Sequence, residues 1–118
     1  MPKKADHDNQ YKSNKALLKT PTFDLMSTRH FDWVITVTFY CAVHLIEMEL
    51  ASCKNYDSVD HRDRKLQILA TKSLKPISSI YLALYIESMR ARYECGIITK
   101  DDAEKALRTL EKIEKAVC

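Results

Sequence analysis

Four polar side chains interrupt an otherwise apolar stretch of this sequence. Thr36, Tyr40, His44 and Glu47 follow one another at steps of four, four and three. On an α-helix that spacing puts them on one face. Burying such groups costs free energy unless they find partners. Two readings follow. Either neighbouring helices or a second subunit satisfy Tyr40, His44 and Glu47, or the three line a cleft that binds a ligand or moves a proton. Histidine and glutamate are the usual agents of proton transfer, which makes His44 and Glu47 candidate catalytic residues.

A second group is Ser88, Arg90, Arg92 and Tyr93. Cations near a helix C-terminus are favoured by its dipole, so these arginines could be ordinary caps. A guanidinium also matches phosphate bidentately. Arg90, Arg92 and Tyr93, with Tyr40, are therefore candidate ligand- or phosphate-binding residues. His61 with Arg62 and Arg64 is a third group, at a helix start where anions are favoured. Exposed His and Arg are also commonplace there. His61 joins the catalytic candidates and Arg64 the phosphate-binding ones.

Other chemistries lack their signatures. Cys41, Cys53, Cys95 and Cys118 show no C-x-x-C spacing, and His30, His44 and His61 are not spaced with them like a zinc site. No metal and no cofactor is expected. Free thiols, with Cys41 in the core, fit a reducing cytosol. There is no Walker loop and no recognisable Ser or Cys nucleophile motif.

The elements that must position these residues are helices. The chain has 118 residues, 46% apolar and 30% charged, with one glycine and three prolines. Sheet proteins need many tight turns, and those turns need Gly, Pro, Asn or Asp. The composition predicts a single all-α domain over 1–118, an up-and-down antiparallel four-helix bundle with an additional short helix. The net charge of +3 is too mild to imply nucleic acid by itself.

A first helix is expected from Asp8 to Lys19, stopped by Pro21, after a loose start at 1–6. Phe23, Leu25 and Met26 should tuck onto the bundle from a loop at 20–29. The central helix spans about 31–52, apolar nearly all round, as befits a helix surrounded by others. A third runs from an Asp60/Asp63 capping box to about Ser73. Pro76 should open the fourth, whose Ile77, Ile80, Tyr81, Leu84 and Tyr85 form an apolar stripe, with Gly96 ending it in a left-handed conformation. Thr99 and Asp102 cap the last helix, where Ala103, Ala106, Leu107, Leu110, Ile113 and Val117 repeat at helical spacing. The longest apolar run, Trp33 to Ile46, is 14 residues with His44 inside it, too short to span a bilayer. The polar N-terminus carries no visible signal peptide. A cytoplasmic protein without membrane contact is expected.

The order of these features resembles a known superfamily. FYCAVHLIEMELA, His61 opening the next helix, YLALYIESMRARY and ITKDDAEKALRTLEKIEKAV together resemble the HEPN (higher eukaryotes and prokaryotes nucleotide-binding) domain over about residues 30–117. Arg92-Tyr93 is similar to an arginine–tyrosine pair near that family's fourth helix, and Thr99-x-x-Asp102-Ala103 to the helix that follows. The resemblance implies a usually dimeric bundle that partners a small nucleotidyltransferase or acts as a metal-independent ribonuclease in toxin–antitoxin and defence systems. The ribonuclease members carry an Arg, four to six residues, then His. Here those positions hold Cys95, Gly96 and Ile97 after Arg90, and Ile97, Ile98 and Thr99 after Arg92. The expected function is therefore a non-catalytic, homodimeric module that binds a nucleotide, RNA or a partner protein. The alternatives are a divergent ribonuclease or phosphotransfer enzyme using His44 or His61 with Arg92, and a helical adaptor with no small ligand.

Overall fold

The structure is a computed structural model that describes residues 3–93 and 96–117. Five α-helices follow one another: α1 (Lys4–Leu18), α2 (Phe31–Lys54), α3 (His61–Ala70), α4 (Ser78–Tyr93) and α5 (Lys100–Val117), with a 3-10 turn at Lys75–Ile77 before α4. No strand occurs among the described residues. The all-α expectation holds, with α3 as the short extra helix.

The bundle forms around α2, which packs against α1, α4 and α5. Val34, Ile35, Phe39, Ala42, Leu45, Ile46 and Leu50 are all fully buried. Apart from Ala42, full burial of each of these side chains stabilises the fold by about 1.5–3 kcal/mol. From α5 the facing side chains are Ala103, Ala106, Leu110 and Ile113, and from α4 they are Tyr81 and Leu84. The helix α1 differs. Its buried residue is His7, with Tyr11 and Leu18 partly packed on the core. Polar contacts tie it down instead: Tyr11 and Lys15 both donate to the Glu114 carboxylate on α5.

Helix ends follow local chemistry. The Asp60 carboxylate accepts from the Asp63 amide, while Asp63 accepts from the Val59 amide and the Tyr56 hydroxyl, starting α3. Thr99 and Asp102 exchange the same kind of bonds at α5. Each such cap satisfies amides that a helix start leaves without intrahelical partners.

Several expectations change. The first helix begins at Lys4, not Asp8, because the Lys3 amide donates to the Asp6 carboxylate and His7 is anchored one turn later. Residues 4–6 are thus helical, not loose. The third helix stops at Ala70, where the Thr71 side chain bonds back to Gln67 and the backbone turns extended. Pro76 lies in the 3-10 turn, not in α4 itself. Among the described residues the left-handed backbone belongs to Asn55, at the end of α2, and not to Gly96. Phe23 and Leu25 pack on the core, but Met26 is 87% exposed.

The 14-residue run from Trp33 to Ile46 understates the apolar length of α2. At 24 residues, with a mean hydropathy of 1.5 over its best window, α2 is long and apolar enough to cross a bilayer. What marks it as a core helix is that 67% of that window is buried inside the protein and that ion-paired Glu47 lies near its end.

Candidate functional site

The polar stripe on α2 divides among different partners. Thr36 donates to the Asp32 carbonyl within its own helix, an ordinary way to satisfy a buried hydroxyl. The other three side chains each reach another element.

Tyr40 meets α4. The Arg92 Nη1 donates to the Tyr40 hydroxyl at 2.9 Å, while Arg92 Nε donates to the Ser88 carbonyl and Nη2 to the Ser88 hydroxyl. The guanidinium also lies 5.1 Å from the Tyr93 ring centroid, 5.5 Å from Tyr40 and 5.6 Å from Phe39. Cation–π attraction and hydrogen bonds together hold the charge in place. Beside it a pocket of about 300 Å³ opens between the start of α2 and the end of α4, lined by Asp32, Trp33, Thr36, Ala91, Arg92 and Tyr93. Trp33 and Tyr93, its aromatic walls, are 55% and 67% exposed.

Glu47 meets α3. Its carboxylate accepts from Arg64 Nε at 3.0 Å and from the Ser58 amide at 3.1 Å. Both side chains are buried, at 2% and 10% exposure. The nearby Tyr81 hydroxyl is buried without a hydrogen-bond partner.

Arg64 Nη1 lies 2.8 Å from His61 Nδ1. A guanidinium only donates, so His61 Nδ1 must be the acceptor and the neutral ring carries its proton on Nε2. His61 stacks near Phe39 and Tyr85, at 5.7 and 5.4 Å between centroids. Burial, then the charges of Arg64, Arg92 and Lys65, hold its pKa below the ordinary histidine value. Lys65 itself sits over the Tyr85 ring at 3.8 Å. His61, Arg64, Lys65 and Arg92 thus form a basic group set among aromatic rings.

His44 meets α1 and not the basic group. Its Nδ1 lies 3.0 Å from His7 Nδ1, and His7 Nε2 lies 2.9 Å from the Asp57 carboxylate. One proton must sit between the two Nδ1 atoms, because two lone pairs would repel. Burial, then His7 and Arg64, lower the His44 pKa.

Arg90 turns away. It bonds Glu87 and the Ile97 carbonyl and approaches Asp102 at 3.5 Å, tying the end of α4 to the start of α5. It does not join Arg92. The structure therefore puts Arg92 and Tyr93 at one pocket with Tyr40 bonded to the Arg92 guanidinium, links His61 and Arg64 to Glu47, and puts His44 with His7. Sequence reasoning passed over Trp33, His7 and Asp57. Trp33 reads as one more apolar residue of a core helix, and its exposure depends on where α4 ends. His7 and Asp57 lie in segments with no pattern linking them to α2.

No family model, no curated protein and no solved structure matches this chain.

Proposed function

We propose that the chain is a non-catalytic binding module, HEPN-like in kind, whose Arg92 pocket takes a nucleotide or a short RNA. The observation that carries this reading is the pairing of a fixed guanidinium with two exposed aromatic walls. Arg92 is held by Ser88, Tyr40 and Met89, which leaves one Nη1–H of the fixed guanidinium to donate to a phosphate oxygen. Trp33 and Tyr93 offer faces on which a base can stack, worth about 1–3 kcal/mol per base. Lys65 supplies further positive potential nearby, and neutral His61 keeps an Nε2–H that can donate to a phosphate oxygen.

Binding is favoured over cleavage by the state of His61. Arg64 occupies its only lone pair, so the ring can donate but cannot accept a proton without breaking that bond. His44 is likewise engaged by His7. A cytoplasmic setting, pairing with a second copy and partnership with a small nucleotidyltransferase belong to the same reading. Pairing is supported by the exposed Leu66, Leu69, Leu82 and Ile86 of α3 and α4.

Calorimetric titration with mononucleotides and short oligoribonucleotides tests the reading. Wild type should bind at least one of them, and Arg92→Ala and Tyr93→Ala should each weaken it about tenfold or more. Absence of binding to every ligand, or equal binding by all three proteins, refutes it. Accumulation of RNA fragments would instead favour the ribonuclease alternative.

A further inference from the structure

His7 is 5% exposed and Glu47 1%. With the half-buried Asp57 in the loop after α2, each offers one ligand atom, and the three atoms lie within 4.8 Å of one another. They come from three separate segments, α1, α2 and the α2–α3 loop.

We propose that His7, Glu47 and Asp57 form a binding site for one zinc ion. The donor types fit: one imidazole and two carboxylates are accepted zinc ligands, and no thiolate is required. The separations fit as well. Zinc–ligand bonds of about 2.0–2.2 Å put tetrahedral ligand atoms about 3.4 Å apart, within a small adjustment of the present spacing. Three protein ligands leave the fourth position to water, and the 19% exposed Asp57 side chain provides an edge through which the ion enters.

The surroundings are built for such a site. A metal-bound histidine ordinarily donates its other ring N–H to a fixed acceptor. With Nε2 on the Asp57 side given to the metal, His7 Nδ1 faces His44 Nδ1 at 3.0 Å and donates to it. The Glu47 carboxylate is already oriented by Arg64 Nε and the Ser58 amide. A second observation is independent of the three ligands. The Ser58 hydroxyl, on the residue after Asp57, is buried without a hydrogen-bond partner. A water on the fourth position of the ion would supply one. The nearby His7–Asp57 pair would be replaced by two bonds to the same ion, as metal binding displaces a proton from its imidazole ligand.

The test uses the metal alone. Metal-stripped full-length protein is titrated with zinc by calorimetry, and separately with cobalt, whose spectrum reports the ligands. One saturable site per chain is expected, with a raised thermal midpoint. Cobalt should give the visible bands of a tetrahedral site without a thiolate charge-transfer band. His7→Gln and Asp57→Asn should each reduce affinity at least tenfold, and Cys53→Ser should leave it unchanged. Should either site variant lose helical circular dichroism, the cobalt spectrum of the wild type decides. No saturable binding, a thiolate band, or affinity lost in Cys53→Ser but kept in the site variants overturns the proposal. The zinc site does not require Arg92, so Arg92→Ala should bind zinc as wild type does, whatever becomes of nucleotide binding.

Discussion

The Glu47–Arg64 pair is the most exposing point at which to strike this fold. Replacing Glu47 with Leu leaves Arg64 charged at 10% exposure, with its Nε partner gone. Replacing Arg64 with Met leaves the Glu47 carboxylate at 2% exposure, with only the Ser58 amide. Removing one member of a buried ion pair costs about 3–5 kcal/mol, because the other charge stays desolvated. For 118 residues, an unfolding entropy of about 2.1 cal/mol/K per residue converts that to a fall in thermal midpoint of roughly 12–20 °C. Removing both charges removes the isolated ion and leaves the Ser58 amide and His61 Nδ1 without partners, at about 1–3 kcal/mol each at most. The double variant should therefore be less destabilised than the two single effects summed, and comparable to or milder than either one. Urea unfolding followed by circular dichroism, analysed as a double-mutant cycle, measures all four proteins. Single effects below about 1 kcal/mol, or a strictly additive double variant, would refute the reasoning that this pair is desolvated and coupled.

Other expectations follow from single features. His61 has a folded-state pKa below its ordinary value of 6.5, held down by burial and then Arg64, Arg92 and Lys65. The unfolded chain therefore binds its proton first as pH falls, so the stability that depends on neutral His61 is present above about pH 6.5 and is lost from there down to the folded pKa. His61→Gln should flatten that part of the stability–pH curve, and an unchanged curve would contradict the assignment. Thr99→Ala removes the acceptor for the Asp102 amide at α5 and should cost about 1 kcal/mol in denaturant unfolding; Thr99→Ser should restore most of it. Burial pushes the Cys41 thiol up to about 12, so a thiol reagent should label Cys53, which is exposed, under native conditions and Cys41 only on unfolding. Mass spectrometry of the labelled peptides distinguishes the two.

How far the sequence carried depended on the range of each signal. The α2 core and the α5 stripe were legible because apolar periodicity is local and both helices are flanked by chain-reversing segments. The Asp60 and Thr99 caps were legible for the same reason, since partners three residues apart are visible in one line of sequence. The start of α1 was not. Its apolar pattern is weak, and it is set by the Lys3–Asp6 cap and by contacts of His7 with residues 37 and 50 positions away. The Tyr40, His44 and Glu47 stripe was visible as a stripe, yet whether it faced core or cleft depended on what other helices brought to it. The answer differs by residue: Glu47 is paired inside the protein, His44 is half-buried against α1, and Tyr40 backs a pocket. Arg90 and Arg92 look equivalent by spacing, and the two-residue rotation between them sends one toward α5 and the other over Tyr40.

The most direct measurement of the binding reading is a nuclear magnetic resonance titration of labelled protein with a nucleotide or short RNA, following the Arg92 Nε–H, Tyr93 and Trp33 side-chain signals and the His61 Cε1–H. Saturable shifts at Arg92, Trp33 and Tyr93 are expected, with His61 titrating at higher pH once phosphate offsets the neighbouring positive charges. Saturation with those signals unmoved, or shifts confined to another face of the bundle, would contradict the Arg92 pocket as the site.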